Sequence, residues 1–281
     1  MRVIELSNHP GDMLHDVSLR REATQRRAQA RYDDALIQHR ARVQTIRVRR
    51  DRARRNRQWR SWLRLVLAVW AESRRKPPKP AGPPPSDTDT QERIKAGIAG
   101  EQLVATQLGR ALDDDWTLLR GYRNRRGEID HLLLGPKGLF AIEVKNINAT
   151  VAIDGDRWRA DKYDNYGNLV EQYAIGDQSS RHRSPSVQLN EPADELERFL
   201  SARGEDVGVL RVVLLVHSKA EVGTCHKATV NIFTRASEVI RLVGKVKQPF
   251  DPGTRKRLEE LIIRDHRHHV TRPGRRPGAG R

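Results

Sequence analysis

A single cysteine, Cys225, in 281 residues excludes a disulfide framework and any cysteine-based zinc site. No stretch approaches the roughly 18–20 consecutive apolar residues that a bilayer-spanning helix needs. The residues MRVIELSNHPGDML carry no apolar core of a secretory leader. The expectation is therefore a cytoplasmic protein, peripheral at a membrane if one of its helices docks there. Residues 14–75 hold neither glycine nor proline and are rich in Arg, Ala, Gln and Leu, which are good helix formers. With 37% hydrophobic and 32% charged residues, the chain is too polar to be one compact globule throughout.

Acidic charge is scarce at both ends. Residues 1–76 hold 20 Lys+Arg against 8 Asp+Glu, and residues 264–281 hold 6 against 1, whereas residues 77–263 carry 27 of each. The whole net charge of +17 thus lies outside the middle. A basic end reads as a partner for polyanions, either nucleic acid or an anionic membrane face.

Residues 77–90, PPKPAGPPPSDTDT, read as a semi-rigid linker, since proline cannot continue a helix. They divide a basic helical, coiled-coil-like extension (1–76) from an α/β domain (91–263). A basic disordered tail is expected at 264–281, with His266, His268 and His269 in it as solvated residues. In the extension, Tyr32, Leu36, His39, Val43 and Ile46 alternate four and three apart, a weak coiled-coil seam. Trp59, Trp62, Leu63, Val66, Val69 and Trp70 share a helical face edged by Arg57, Arg60, Arg64, Arg74 and Arg75. Three uses stay open for residues 57–75: packing or homo-oligomer formation, contact with an anionic membrane, and nucleic-acid binding.

Beyond the linker the pattern reads helix (91–112), strands (116–120, 127–135, 138–146, 150–153), and a loop or short strand pair at 156–178. A helix (187–203), strands at 209–218 and 229–234, and two helices at 235–243 and 252–266 follow. In the run GEIDHLLLGPKGLFAIEVKN (127–146), acids interrupt the two most strand-like segments of the chain. Burying a carboxylate in a strand costs several kcal/mol unless it is paired or metal-bound. Residues two apart in a strand share a side, so Glu143 and Lys145 project together with Val144 opposite. The turn at 135–138 makes a hairpin, and equal spacing from it sets Asp130 across from Glu143. Two converging carboxylates repel one another, a penalty that a divalent cation removes, and oxygen ligands suit Mg²⁺ or Mn²⁺.

Asp130 followed by Glu143-Val144-Lys145 resembles the PD-(D/E)XK core of restriction-endonuclease-like proteins. The wider pattern resembles the nuclease-related domain (NERD) family. Its G-x-x-G-E, G-E-I-D and E-V-K-N segments stand here at 97–101, 127–130 and 143–146. Gly155 and Trp158 stand at its small hairpin, and Ser184-Pro185-Ser186-Val187-Gln188 replaces its N-P-x-x-Q. The resemblance covers roughly residues 92–240. It implies a restriction-endonuclease-like three-layer α/β core with a mixed sheet, here preceded by a long basic helical region. It also implies a Mg²⁺-dependent (or Mn²⁺-dependent) nuclease acting on DNA, with Asp130, Glu143 and the Val144 carbonyl as metal ligands. Lys145 would act on the attacking water or the phosphate, Glu101 would complete the acidic cluster, and Gln188 would hold water or phosphate. Glu128 reads as a bystander on the Asp130 side. The rival expectation is a catalytically weak binding protein for nucleic acid or membrane that keeps the fold, its affinity supplied by the basic ends.

Overall fold

A computed structural model describes residues 1–75, 77–79, 85–176, 183–246 and 249–271. Two compact units divide the chain: Met1–Asp12 with everything from Ile94 onward, and Met13–Arg93.

The first unit is built on a mixed sheet of six strands in the order β1-β2-β3-β4-β8-β10. These are β1 (Arg2–Glu5), β2 (Thr117–Arg123), β3 (Glu128–Gly135), β4 (Gly138–Lys145), β8 (Val209–Leu215) and β10 (Asn231–Phe233). Strands β2, β3 and β4 run antiparallel, while β1–β2, β4–β8 and β8–β10 are parallel pairs. A smaller sheet, β7-β6-β5-β9, comprises β5 (Thr150–Asp154), β6 (Arg157–Tyr163), β7 (Leu169–Ala174) and β9 (Glu221–His226).

Helices cover both faces of the large sheet. Against one face, Val104, Ala105 and Leu108 of α3 (Pro85–Ala111) pack with Val239 and Val243 of α5 (Ala236–Lys245). Against the other, Leu189, Leu196 and Leu200 of α4 (Pro185–Ser201) pack with Leu258 and Ile262 of α6 (Pro252–Thr271) and with Val151, Ile153 and Trp158 of the small sheet. Strand β4 feeds both layers, Phe140, Ile142 and Val144 into the first and Leu139 and Ala141 into the second. A strand buried on both faces needs an unbroken apolar run, which is why LFAI precedes the acid. Each fully buried side chain of this kind contributes about 1.5–3 kcal/mol of apolar transfer. The expected three-layer α/β core is present.

The boundaries read from the sequence shift in three places. Residues 2–5 are not part of a helical extension but pair with β2, in the register Arg2↔Thr117 to Glu5↔Arg120. Residues 85–90 belong to α3 rather than to a linker, and the rest of that linker is described only at 77–79. The disordered tail expected from 264 begins too early, because α6 continues to Thr271 with Asp265 and His266 buried. Asp265 accepts a hydrogen bond from the Tyr122 hydroxyl. His266 Nδ1 accepts from the Arg123 N–H at 3.1 Å, and its Nε2 donates to the Leu6 carbonyl at 3.1 Å. Burial lowers the pKa of His266, which keeps the ring neutral and able to serve as acceptor and donor at once. The tail expectation for 272–281 lies outside the described residues.

A kink in β2 and β3 positions the site. Arg120 pairs with His131 and Tyr122 with Ile129, but the intervening Gly121 and Asp130 do not pair. Gly121 has φ +68, and Leu119 and Tyr122, three apart, enter the same core layer, as do Ile129 and Leu132. The two-residue alternation therefore flips there. A Cβ at Gly121 would lie 2.5 Å from the Ser7 carbonyl oxygen. Gly121→Ala should accordingly cost roughly 1–3 kcal/mol from left-handed strain and overlap. A denaturant titration measures it, and an unchanged midpoint would contradict this account.

In the second unit, α1 (His9–Arg55) reverses at residues 56–58 into α2 (Trp59–Arg74). Arg57 makes the reversal at φ +57. His39 and Val43 of the seam are buried, and Glu72 of α2 lies 3.3 Å from Arg42 and 3.9 Å from His39. Helix α2 thus folds back along α1 beside His39 and Val43 of the seam.

Candidate active site

Parallel strands β4 and β8 end together, and the carboxyl end of β4 carries Glu143-Val144-Lys145. In open α/β sheets the carboxyl ends of strands are the usual place for ligands. The β3–β4 ladder closes at His131↔Ile142, one position short of Asp130 and Glu143. Beyond it β3 leaves β4, and the Asp130 carboxylate takes the place of a ladder partner by accepting the Val144 N–H at 2.7 Å. The Val216 N–H donates to the Lys145 carbonyl at 2.9 Å. Main-chain groups alternate sides along a strand, so the Val144 N–H and carbonyl face Asp130 instead. Asp130, Glu143 and the Val144 carbonyl therefore approach one another where the two strands part.

Lys145 joins this end of the sheet to α4. Its Nζ donates to Glu143 Oε1 at 2.5 Å and to Gln188 Oε1 at 2.8 Å. The Gln188 amide is held in turn, because its Nε2 donates to the Arg183 carbonyl at 2.5 Å. Helix α4 begins where it must for this contact. Ser184 caps it by accepting the Val187 N–H, Pro185 opens the first turn, and Ser186 Oγ accepts from Trp158 Nε1 at 3.0 Å. Serine in place of asparagine keeps the cap, since its hydroxyl accepts the same kind of bond. Trp158 is buried packing beneath this turn.

Glu101 comes from the opposite layer. A Cβ at Gly100 would meet Val216 Cγ2 at 2.8 Å, so glycine there lets α3 lie close to the ends of β4 and β8. Asn146 Nδ2 donates to the Ala96 carbonyl at 3.1 Å and ties the end of β4 to the same helix. Arg120 of β2 reaches Glu101 at 3.9 Å, Glu5 at 3.2 Å and Gln102 at 3.2 Å. His131 donates from Nε2 to the Glu101 carbonyl at 3.2 Å.

The electrostatics follow from burial and like charge. Burial, then Glu143, holds the Asp130 carboxyl well above the usual range, against the pull of Lys145. Burial pushes Glu101 up to about 7; Arg120 opposes the rise, and Glu143, Glu128 and Glu5 add to it. Burial would lower Lys145, but Glu143 and Asp130 outweigh it and the net direction is upward, so the ammonium is firmly charged. Burial and Arg120 bring His131 down to about 4, leaving a neutral ring beneath the carboxylates. Three acids crowd the cleft against Lys145 on one side and Arg120 on the other.

Such an acidic set suits a hard cation. Among the described residues no three His, Cys, Asp or Glu side chains converge as a ligand group. Mg²⁺ or Mn²⁺ here would rest on Asp130, Glu143 and the Val144 carbonyl, with water in the remaining positions, as Mg²⁺ ordinarily keeps several waters.

The residues singled out from the sequence thus come together: Asp130, Glu143, Val144, Lys145 and Gln188 through direct contacts, and Glu101 through His131, the neighbour of Asp130, which donates to its carbonyl. Glu128 is tied to Ser7 Oγ at 3.2 Å, at the rim. Sequence reasoning missed Arg120, His131 and Glu5. Arg120 and His131 were detectable by the argument that exposed Glu143, namely a polar residue inside an apolar strand. Glu5 was not, because nothing local marks RVIE as a strand.

Residues 96–216 match the family described as the nuclease-related domain. No curated protein and no solved structure matches the chain.

Proposed function

We propose that the chain, whose residues 96–216 match the nuclease-related domain family, is a metal-dependent nuclease that hydrolyses phosphodiester bonds of DNA. One observation carries the reading: Lys145 bridges Glu143 and Gln188 at the point where Asp130 replaces a strand partner of Val144. An ion pair kept only for stability would not need a third, hydrogen-bonded polar side chain from another layer. Mg²⁺ or Mn²⁺ bound there would polarise the phosphoryl oxygen and acidify an attacking water.

The chain's own residues do the rest. Asp130 and Glu143 would hold the cation, with the Val144 carbonyl beside them. Lys145, charged and anchored by Glu143, presents an N–H to the phosphate or to the water that attacks it. Gln188 fixes the lysine rotamer through its oxygen, and Arg183 fixes Gln188. Glu101 stands opposite with a carboxyl balanced near neutrality, suited to accept or return a proton at the cleft. His131 and Arg120 hold Glu101 in place from its carbonyl and its carboxylate.

The test is incubation of the purified chain with supercoiled and linear DNA in Mg²⁺, in Mn²⁺ or in EDTA. Cleavage with either metal, abolished by EDTA, supports the reading, and absence of metal-dependent cleavage sinks it. The location of the charge favours a second reading, a binding protein that keeps the fold without useful turnover. Residues 1–76 alone carry the excess of 20 cationic over 8 acidic side chains, enough to supply salt-dependent affinity for a polyanion without catalysis. Tight DNA binding without cleavage is the outcome that selects it.

A further inference from the structure

The sequence WRSWLRLVLAVWAESR of α2 separates into three strips around the helix. Trp62, Leu65, Val66 and Val69 are half-buried on the side that carries Glu72, which pairs with Arg42 of α1. Beside them runs a second apolar row, Trp59, Leu63, Leu67 and Trp70, spaced four, four and three residues apart. These side chains are 64%, 45%, 67% and 57% exposed. A third strip is cationic: Arg60 and Arg64, then Arg74 and Arg75. The Arg60 guanidinium lies 5.5 Å over the Trp59 ring, and that of Arg74 lies 3.8 Å over Trp70. The single face read from the sequence is thus two faces, of which one packs and the other does not.

We propose that the exposed row of α2 docks in the plane of an anionic lipid surface, with its arginine flank on the lipid phosphates. Single exposed apolar residues are ordinary, but a continuous row of four large ones over three turns, about 16 Å, marks a contact surface. The chemistry of the row selects the partner. Tryptophan at each end with leucine between them is the arrangement that settles at the headgroup boundary, and arginine beside it meets phosphate. Only Glu72 among residues 57–75 is acidic, and it is turned to α1, so the exposed side of the helix is wholly cationic. That charge argues against a second copy of this chain, whose row would bring the same arginines together. It leaves duplex nucleic acid a poorer occupant, because phosphates give Leu63 and Leu67 nothing to bury against. At the corner below the row, Arg54, Arg57, Gln58, Trp59 and Trp62 line a cleft of about 310 Å³, whose cationic and aromatic lining suits a phosphate on an apolar stem. Among the described residues no helix is long and apolar enough to cross a membrane, so the contact lies in the interface.

Flotation of the full chain with vesicles, without metal or nucleic acid, tests this independently of any nuclease activity. The wild type should float with vesicles of equimolar phosphatidylglycerol and phosphatidylcholine and stay behind with phosphatidylcholine alone. Replacing Trp59, Leu63, Leu67 and Trp70 together by Gln, a good helix former, should lower the partition at least about tenfold. The charge variant Arg60→Glu with Arg64→Glu and Arg74→Glu should lower it as well, and it leaves the apolar row intact if the first variant loses helicity by circular dichroism. No flotation of the wild type on anionic vesicles overturns the proposal. So does flotation unchanged in both variants. Loss of duplex-oligonucleotide binding in the apolar variant, with lipid binding intact, would assign the row to nucleic acid instead. Conversion of a wild-type dimer to a monomer by that variant, again with lipid binding intact, would assign it to self-association.

Discussion

Asp130→Asn is expected to reduce metal-dependent cleavage by about 10²–10⁴-fold, while the metal-free protein becomes more stable at neutral pH. The first effect follows from removing a charged oxygen from the cation, since Lewis-acid stabilisation of a phosphoryl transition state is worth several kcal/mol and each 1.36 kcal/mol is tenfold. The amide oxygen of Asn still accepts the Val144 N–H, so the strand parting keeps its shape. The second effect is linkage. Burial and Glu143 hold the Asp130 carboxyl above its unfolded value. The folded state therefore gives up this proton less readily than the unfolded chain does. Stability falls as pH rises from the unfolded pKa through the folded one. Asn cannot ionise, so the variant should melt above the wild type at neutral pH, and the difference should close in acid. Thermal melts in EDTA at two pH values read this directly. A variant that melts lower at neutral pH, or that cuts at the wild-type rate, removes Asp130 from the site.

Lys145→Ala should act in the opposite sense on the fold. Glu143 is 6% exposed in its side chain and Lys145 26%. Truncating the lysine leaves a buried carboxylate beside Asp130 with no cation against it. Breaking a buried pair in this way costs about 3–5 kcal/mol, and the partial exposure of Lys145 brings that to roughly 2–4 kcal/mol. The pKa of Lys145 is raised in the fold, so its contribution is present in full at neutral pH and is lost only in strong alkali. Mn²⁺ should restore much of the stability, because it supplies the missing positive charge. The variant should thus show a larger metal-induced rise in Tm than the wild type, with turnover reduced about 10²–10⁴-fold. A protonated lysine cannot ligate a metal, so calorimetric Mn²⁺ affinity should persist. Equal Tm shifts in variant and wild type, or lost Mn²⁺ binding with intact turnover, would show that Lys145 does not pair with the acids of the cleft.

Much of this site could be read from the chain because its signals are local. Asp130 and Glu143 are equidistant from one tight turn, and Glu143 and Lys145 are two apart on a strand. Register and alternation therefore place them without knowledge of the rest. Gln188 needed the family resemblance, since no local rule brings the first turn of α4 to the end of β4. Arg120 and Glu5 depend on pairings among β1, β2 and β3 that only the sheet order reveals. The tail histidines misled for a related reason. His266 stands among Arg264, Arg267 and His268, a solvated composition. Yet from residue 264 to 271 the helix turns Asp265 and His266 inward, to partners on β2 and at Leu6. β9, EVGTCH, is exposed at every position, so it had no alternation to betray it.

Strand β1 carries a consequence for the order in which the molecule assembles. Arg2 and Thr117 face each other across 115 positions of chain, much of it the helices α1 and α2. Closing a flexible loop of that length costs about 4 kcal/mol of chain entropy, and helix already formed inside it lowers the cost. On a ribosome, β1 must wait on the order of ten seconds for its partner strand to be made. It waits longer for its seal, because the imidazole that holds the Leu6 carbonyl belongs to residue 266. Strand β1 and a histidine 260 positions after Leu6 therefore close the domain together. A nascent chain can gather Glu101, Asp130, Glu143, Lys145 and Gln188 before that happens, but it holds them in a sheet whose outer edge is still open.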